Sequence, residues 1–161
     1  MNEALSPQRS LQQLPHDGGM KVTIYLMARY SRHPEMQAVA WRLRHMGHVV
    51  TSRWIWGEHQ ASDAAIGTGT VGAFEHRLAC EDIEDLHAAA RCVGFSAPLR
   101  SGSRGGRHVE LGMALALGKS LVVVGGHEHV FHVLPHIVHV PALMALYALL
   151  HATGRISRKE L

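Results

Sequence analysis

The chain has 161 residues, 47% of them hydrophobic and 18% charged, with a formal net charge of +3 at pH 7. That length suits a single α/β domain with a core of its own. The mild charge, with no basic helix or basic-aromatic ladder, gives no footing for a nucleic-acid partner, and no apolar run reaches the ~18 residues of a membrane span. The two cysteines, Cys80 and Cys92, fall inside regular structure and read as reduced core thiols. A cytoplasmic setting is expected, with no signal-peptide core at the start.

Residues 1–19 are polar, with Pro7, Pro15 and Gly18-Gly19, and read as a flexible N-terminal arm. Residues 20–161 are expected to form one domain. Lys21 to Ala28 is an apolar first strand. Pro34 starts a helix whose core positions are Met36, Val39, Ala40, Leu43 and Met46, and Gly47 ends it. His48 to Ile55 is expected as a second strand, and Trp56 to Gly72 as a long loop able to cover a site. A second helix follows from Val71 to Ala90, with a possible break near Asp82 and an apolar stripe of Ala79, Ile83, Leu86 and Ala90.

Arg91 to Ala97 is a third strand. Arg107 to Leu117 is a third helix, with Val109, Met113, Ala116 and Leu117 expected to face the core and Gly118 as its stop. Ser120 to Gly125 and Val138 to Val140 are further strands, and Pro141 to Ala152 a closing helix. The alternation of strand and helix implies a doubly wound, mostly parallel five-stranded sheet, flavodoxin-like or Rossmann-like. The commonest order, 2-1-3-4-5, puts its switch point between the first and third strands, where ligands bind. The loops 27–34 and 98–107 meet there.

The second of these loops is the most informative segment. It carries Arg100, Arg104 and Arg107 with Ser103, Gly105 and Gly106, and it runs straight into a helix bearing Glu110. No other acid lies between Asp85 and Glu128. Glycines let backbone N–H groups approach an anion at a helix start. A carboxylate there is favoured by the helix dipole, and beside a sugar it can act as a nucleophile. Acids are also common in first helical turns for the dipole alone. Asp82 and Asp85 share a helical side. Neighbouring acids raise each other's pKa, which suits proton donation; Asp85 fits a solvated face better. Tyr25, Tyr30, Trp54 and Trp56 flank the strand ends, where rings can stack on a base or simply pack.

Gly118-Lys119-Ser120 is no phosphate-binding loop, because the glycine spacing is wrong and the segment ends a helix. His127, His129, His132, His136 and His139 cluster in sequence without zinc-site spacing and read as a solvated loop with half-buried positions. No metal or organic cofactor is expected.

The segments 24–28, 81–86 and Gly106-Arg107-His108-Val109-Glu110-Leu111-Gly112-Met113-Ala114, continued by Ala116-Leu117-Gly118-Lys119, resemble the nucleoside 2-deoxyribosyltransferase superfamily, over about residues 21–135. The resemblance implies a doubly wound fold and cleavage of a deoxynucleoside N-glycosidic bond through a glutamate nucleophile. A related branch hydrolyses deoxynucleoside 5′-monophosphates. It implies Glu110 as nucleophile, Asp82 as the acid beside base and sugar, and Tyr25 in the strand lining the pocket. It also implies a homo-oligomer, a dimer or a multiple of dimers.

Arg29 and Tyr30 stand where the family has glycine and proline, and Ala90-Arg91 where many members carry an aspartate. Arg29, Tyr30, Ser103, Arg104, Gly105, Gly106 and Arg107 are the expected substrate contacts. The arginines and the absence of acid in their loop favour a 5′-monophosphate over a nucleoside. The alternatives are a nucleotide-binding domain without turnover and a structural subunit with a vestigial pocket.

Overall fold

The computed structural model describes residues 21–57, 72–97 and 105–156. The expected arm and most of the loop after Trp56 lie outside the described residues. So do Arg100, Ser103 and Arg104. Five strands, β1 (Thr23–Met27), β2 (Val49–Val50), β3 (Arg91–Phe95), β4 (Ser120–Val124) and β5 (Ile137–Val140), form one sheet in the order β2-β1-β3-β4-β5. Every neighbouring pair is parallel, with Tyr25 opposite Cys92, Cys92 opposite Leu121, and Leu121 opposite Ile137. The connecting helices are α1 (His33–His45), α2 (Ala73–Ala88), α3 (Gly106–Ala116) and α4 (Leu143–Ile156). The sheet is a doubly wound α/β layer, and its switch point lies between β1 and β3.

The middle of the sheet is buried on both faces, as parallel strands flanked by helices must be. Ile24, Leu26, Val93, Leu121 and Val122 meet Met36, Val39 and Leu43 of α1, Leu86 of α2 and Leu146 and Leu150 of α4 in one core. Cys92 lies in it too, and burial pushes its thiol up to about 12. Cys80 is only half-buried, so the expectation of two core thiols holds for Cys92 alone. Among the described residues no helix is long and apolar enough to cross a membrane.

The second strand is far shorter than the expected 48–55. Its ladder stops because side chains replace it. Ser52 Oγ accepts the Leu26 N–H at 2.7 Å, and Trp54 Nε1 donates to the Leu26 carbonyl at 2.9 Å. With both main-chain groups of Leu26 satisfied in this way, the chain leaves the sheet in a 3-10 turn at Arg53–Ile55. Trp54 is therefore core and not a stacking face.

The core faces of two helices also differ from the expected stripes. α2 runs unbroken through Asp82, and its buried positions are Leu78, Asp85 and Leu86, while Ala79, Ile83 and Ala90 are exposed. In α3 the buried positions are Leu111 and Ala114, with Met113 half-buried; Val109 is 65% exposed, and Ala116 and Leu117 also face solvent. Asp85 is not on a solvated face. It is buried and accepts from the Arg53 N–H at 2.7 Å and Arg53 Nε at 2.8 Å. That bond ties α2 to the turn after β2.

Candidate active site

The site is assembled where the carboxyl ends of β1 and β3 face the start of α3. Gly105 opens α3 with φ +88°, a left-handed conformation that suits glycine. Its carbonyl accepts the N–H groups of His108 and Val109 at 2.8 and 3.2 Å. The helix thereby turns Arg107, Glu110, Leu111 and Ala114 inward.

Glu110 reaches back to the sheet. The Tyr25 hydroxyl, from the middle of β1, donates to Glu110 Oε1 at 2.9 Å. Tyr25 is fully buried, and burial beside Glu110 and Asp82 pushes its pKa well above 10, so it stays a donor. The Glu110 carboxyl is pushed up to about 8, first by burial and then by the charge of Asp82. The Tyr25 hydrogen bond and Arg107 pull the other way without winning. The helix dipole favours the anion, but here desolvation next to a second acid outweighs it. Asp82 lies half-buried on α2, across from Glu110. Two carboxyl groups and one phenol from three elements thus share one electrostatic environment.

Arg107 is turned to Glu128 and forms an ion pair in which both side chains are largely buried. Glu128 also accepts the Ala97 N–H at 3.0 Å. Burial raises the Glu128 carboxyl, but Arg107 and Ala97 outweigh it and hold the group below its ordinary value. The charge of Arg107 is therefore balanced by Glu128. Arg104, the other arginine expected to contact a phosphate, lies outside the described residues.

On the other side of the switch point, Arg29 precedes a 3-10 turn at Tyr30–Arg32. The Tyr30 hydroxyl donates to the Gly57 carbonyl at 3.3 Å, and its ring stacks on His33 at 5.1 Å. Trp56, expected at the rim, is exposed, with the Arg44 guanidinium 4.6 Å from its ring centre.

Two residues were not singled out from the sequence. Arg32 donates to the Ser96 carbonyl at 2.9 Å and pairs with Glu35, bridging the loop after β1 to the end of β3. Glu128 is the other. Its signal was present in the sequence as the first acid after Glu110, within a histidine-rich run. Among the described residues no group of three or more His, Cys, Asp or Glu side chains could hold a metal ion.

A scan against protein-family models finds no match, and a search of curated proteins finds none at a significant level. Among solved structures, the chain is similar to a 2-deoxyribosyltransferase from the psychrotolerant bacterium Bacillus psychrosaccharolyticus. The likeness is one of fold. Identity is 17%, over 80% of this chain and 95% of that one, with a TM-score of 0.58.

Proposed function

We propose that this protein cleaves or transfers at the N-glycosidic bond of a deoxyribonucleoside or its 5′-monophosphate, with Glu110 as nucleophile. The observation that carries the reading is the Tyr25–Glu110 hydrogen bond beside Asp82 at the switch point of the sheet. The similarity in fold to a 2-deoxyribosyltransferase supports it.

The chemistry follows from the two carboxyl groups. Mutual repulsion favours a state with one proton between them. With the proton on Asp82, ionised Glu110 attacks C1′. The C1′–N bond breaks as a C1′–O bond to Glu110 forms, and Asp82 delivers its proton to the departing base. Water or a second base then attacks C1′ and frees Glu110, with Asp82 taking a proton back. Two displacements retain the configuration at C1′. Tyr25, held as a donor, fixes the Glu110 oxygen it touches and leaves the other free to attack. Arg29, Tyr30, Ser103, Arg104, Gly105 and Gly106 would line the substrate, and Arg107 would act from behind Glu110.

The test is release of free base from deoxynucleosides and from their 5′-monophosphates, followed by HPLC. Wild type is expected to release base, and Glu110→Gln to lose at least about a thousandfold in kcat/KM, as removal of a covalent nucleophile does. Equal base release by the two proteins rules out the mechanism. If no substrate of either class yields base while one of them binds, the non-catalytic nucleotide-binding reading takes its place. The ratio of kcat/KM for monophosphate over nucleoside assigns the branch.

A further inference from the structure

Beside the site, the connection between β4 and β5 packs its imidazoles against the first turn of α3. His129 meets His108 edge-on, with ring centres 4.8 Å apart and His129 Nε2 3.1 Å from His108 Nδ1. His129 also meets His132 at 4.1 Å, His132 meets His139 at 5.9 Å, and His139 meets His127 at 4.1 Å. His108 and His132 line a narrow cleft that also touches Gly94, Phe95, Arg107 and Glu128. The solvated-loop expectation for this run fails at His132, which is 4% exposed.

The hydrogen bonds fix the protonation these rings require. Two ring nitrogens 3.1 Å apart share one proton, so His108 and His129 hold together only while one of them accepts. His132 Nδ1 accepts the Glu128 N–H at 3.4 Å, and His139 Nε2 donates to the His132 carbonyl at 2.6 Å. A proton on His132 Nδ1 would face another N–H. The charged groups that face the stack are Arg107 on α3 and Glu128 on the connection, and they are paired with each other.

We propose that His108, His129, His132 and His139 form a proton-sensitive latch. With His108 and His132 neutral, the stack holds the β4–β5 connection against the start of α3; protonation of those two drives the connection away and takes Glu128 off Arg107. Burial, together with the neighbouring histidines, lowers His132 to about 4 against the attraction of Glu128. Burial and Arg107 also lower His108. The sign follows. The open form binds protons from its ordinary value near 6.5 downward, and the closed form does so only near 4. The latch is therefore fully closed above about pH 6.5 and weakens as pH falls toward 4. The inference does not depend on the glycosidic reading.

Amide hydrogen exchange, expressed as protection factors, tests it at pH 7.0 and pH 5.0. For His132 alone, those two values give an expected loss of about twentyfold in protection over residues 127–133. Protection in β1 and β3 should hold. His132→Gln keeps an acceptor and cannot titrate, so the loss should shrink, leaving only the contribution of His108. If that variant fails to fold, His132→Asn also offers the Glu128 N–H an acceptor that cannot titrate, and should shrink the loss likewise. Protection that is the same at both pH values overturns the latch. So does an equal loss in the folded variant, or a loss shared by β1 and β3, which would mark global acid unfolding.

Discussion

Glu110 is the residue on which charge, burial and chemistry meet. Its folded carboxyl titrates near 8 and its ordinary value is 4.5. The folded protein thus holds this proton more tightly than the unfolded chain does. The stabilisation is fully present below about pH 4.5 and is lost as pH rises through about 8. Glu110→Gln cannot ionise and should match wild type in Tm near pH 4.5 while exceeding it above pH 8, by thermal melts across that range. Equal melting at pH 8.5 would mean that the carboxyl is not buried as described. The proposed reaction starts from the state with one proton on the pair, so kcat/KM should fall as pH rises through about 8, where that proton is lost. That value belongs to the Glu110–Asp82 pair jointly.

At the scale of elements, α3 shows how two adjacent glycines differ. Gly105 has φ +88° and no atom within 4 Å of an added Cβ, so alanine there meets strain without collision. Gly105→Ala should cost about 1–2 kcal/mol in urea denaturation, the usual penalty for a left-handed residue. Gly106 has open space and no positive φ, so Gly106→Ala should be neutral or stabilise by up to about 1 kcal/mol. The same variant would obstruct any ligand approaching that N–H, so its KM separates a ligand-contacting glycine from a turn glycine.

The helices and strands were largely legible in the sequence because the apolar runs of β1, β3 and β4 and the Met36–Leu43 stripe of α1 repeat with clear periods. The core face of α2 was not. Its apolar residues are mostly small, and its true inward row of 78, 82, 85, 86 and 89 includes two aspartates that look solvated when partners are unseen. The shortening of β2 was equally hidden. A serine hydroxyl and an indole N–H replacing ladder bonds leave no periodic trace. Glu110 stood out through its isolation and helix position, whereas Glu128 acquires meaning only once β3, α3 and the β4–β5 connection are brought together.

On the scale of the whole molecule, the exposed apolar side chains are gathered unevenly. Val130, Phe131 and Val133 project from the turn before β5, and Val138 lies exposed on β5, the edge strand. Cover from a second copy is expected, with two-fold pairing as the commonest closed arrangement. Light scattering at micromolar concentration should give a mass of at least twice 17.7 kDa, and a monomeric mass would leave those side chains unexplained. The parallel sheet has a further practical meaning. β1 begins with Thr23 beside Val49, and the Thr23 hydroxyl takes the N–H of Ala90 from the segment after α2. The polypeptide therefore enters the domain at the rim opposite Glu110. A bead or sensor surface coupled at the start of β1 would hold the molecule by its back and leave the side bearing Glu110 turned toward the bulk solution.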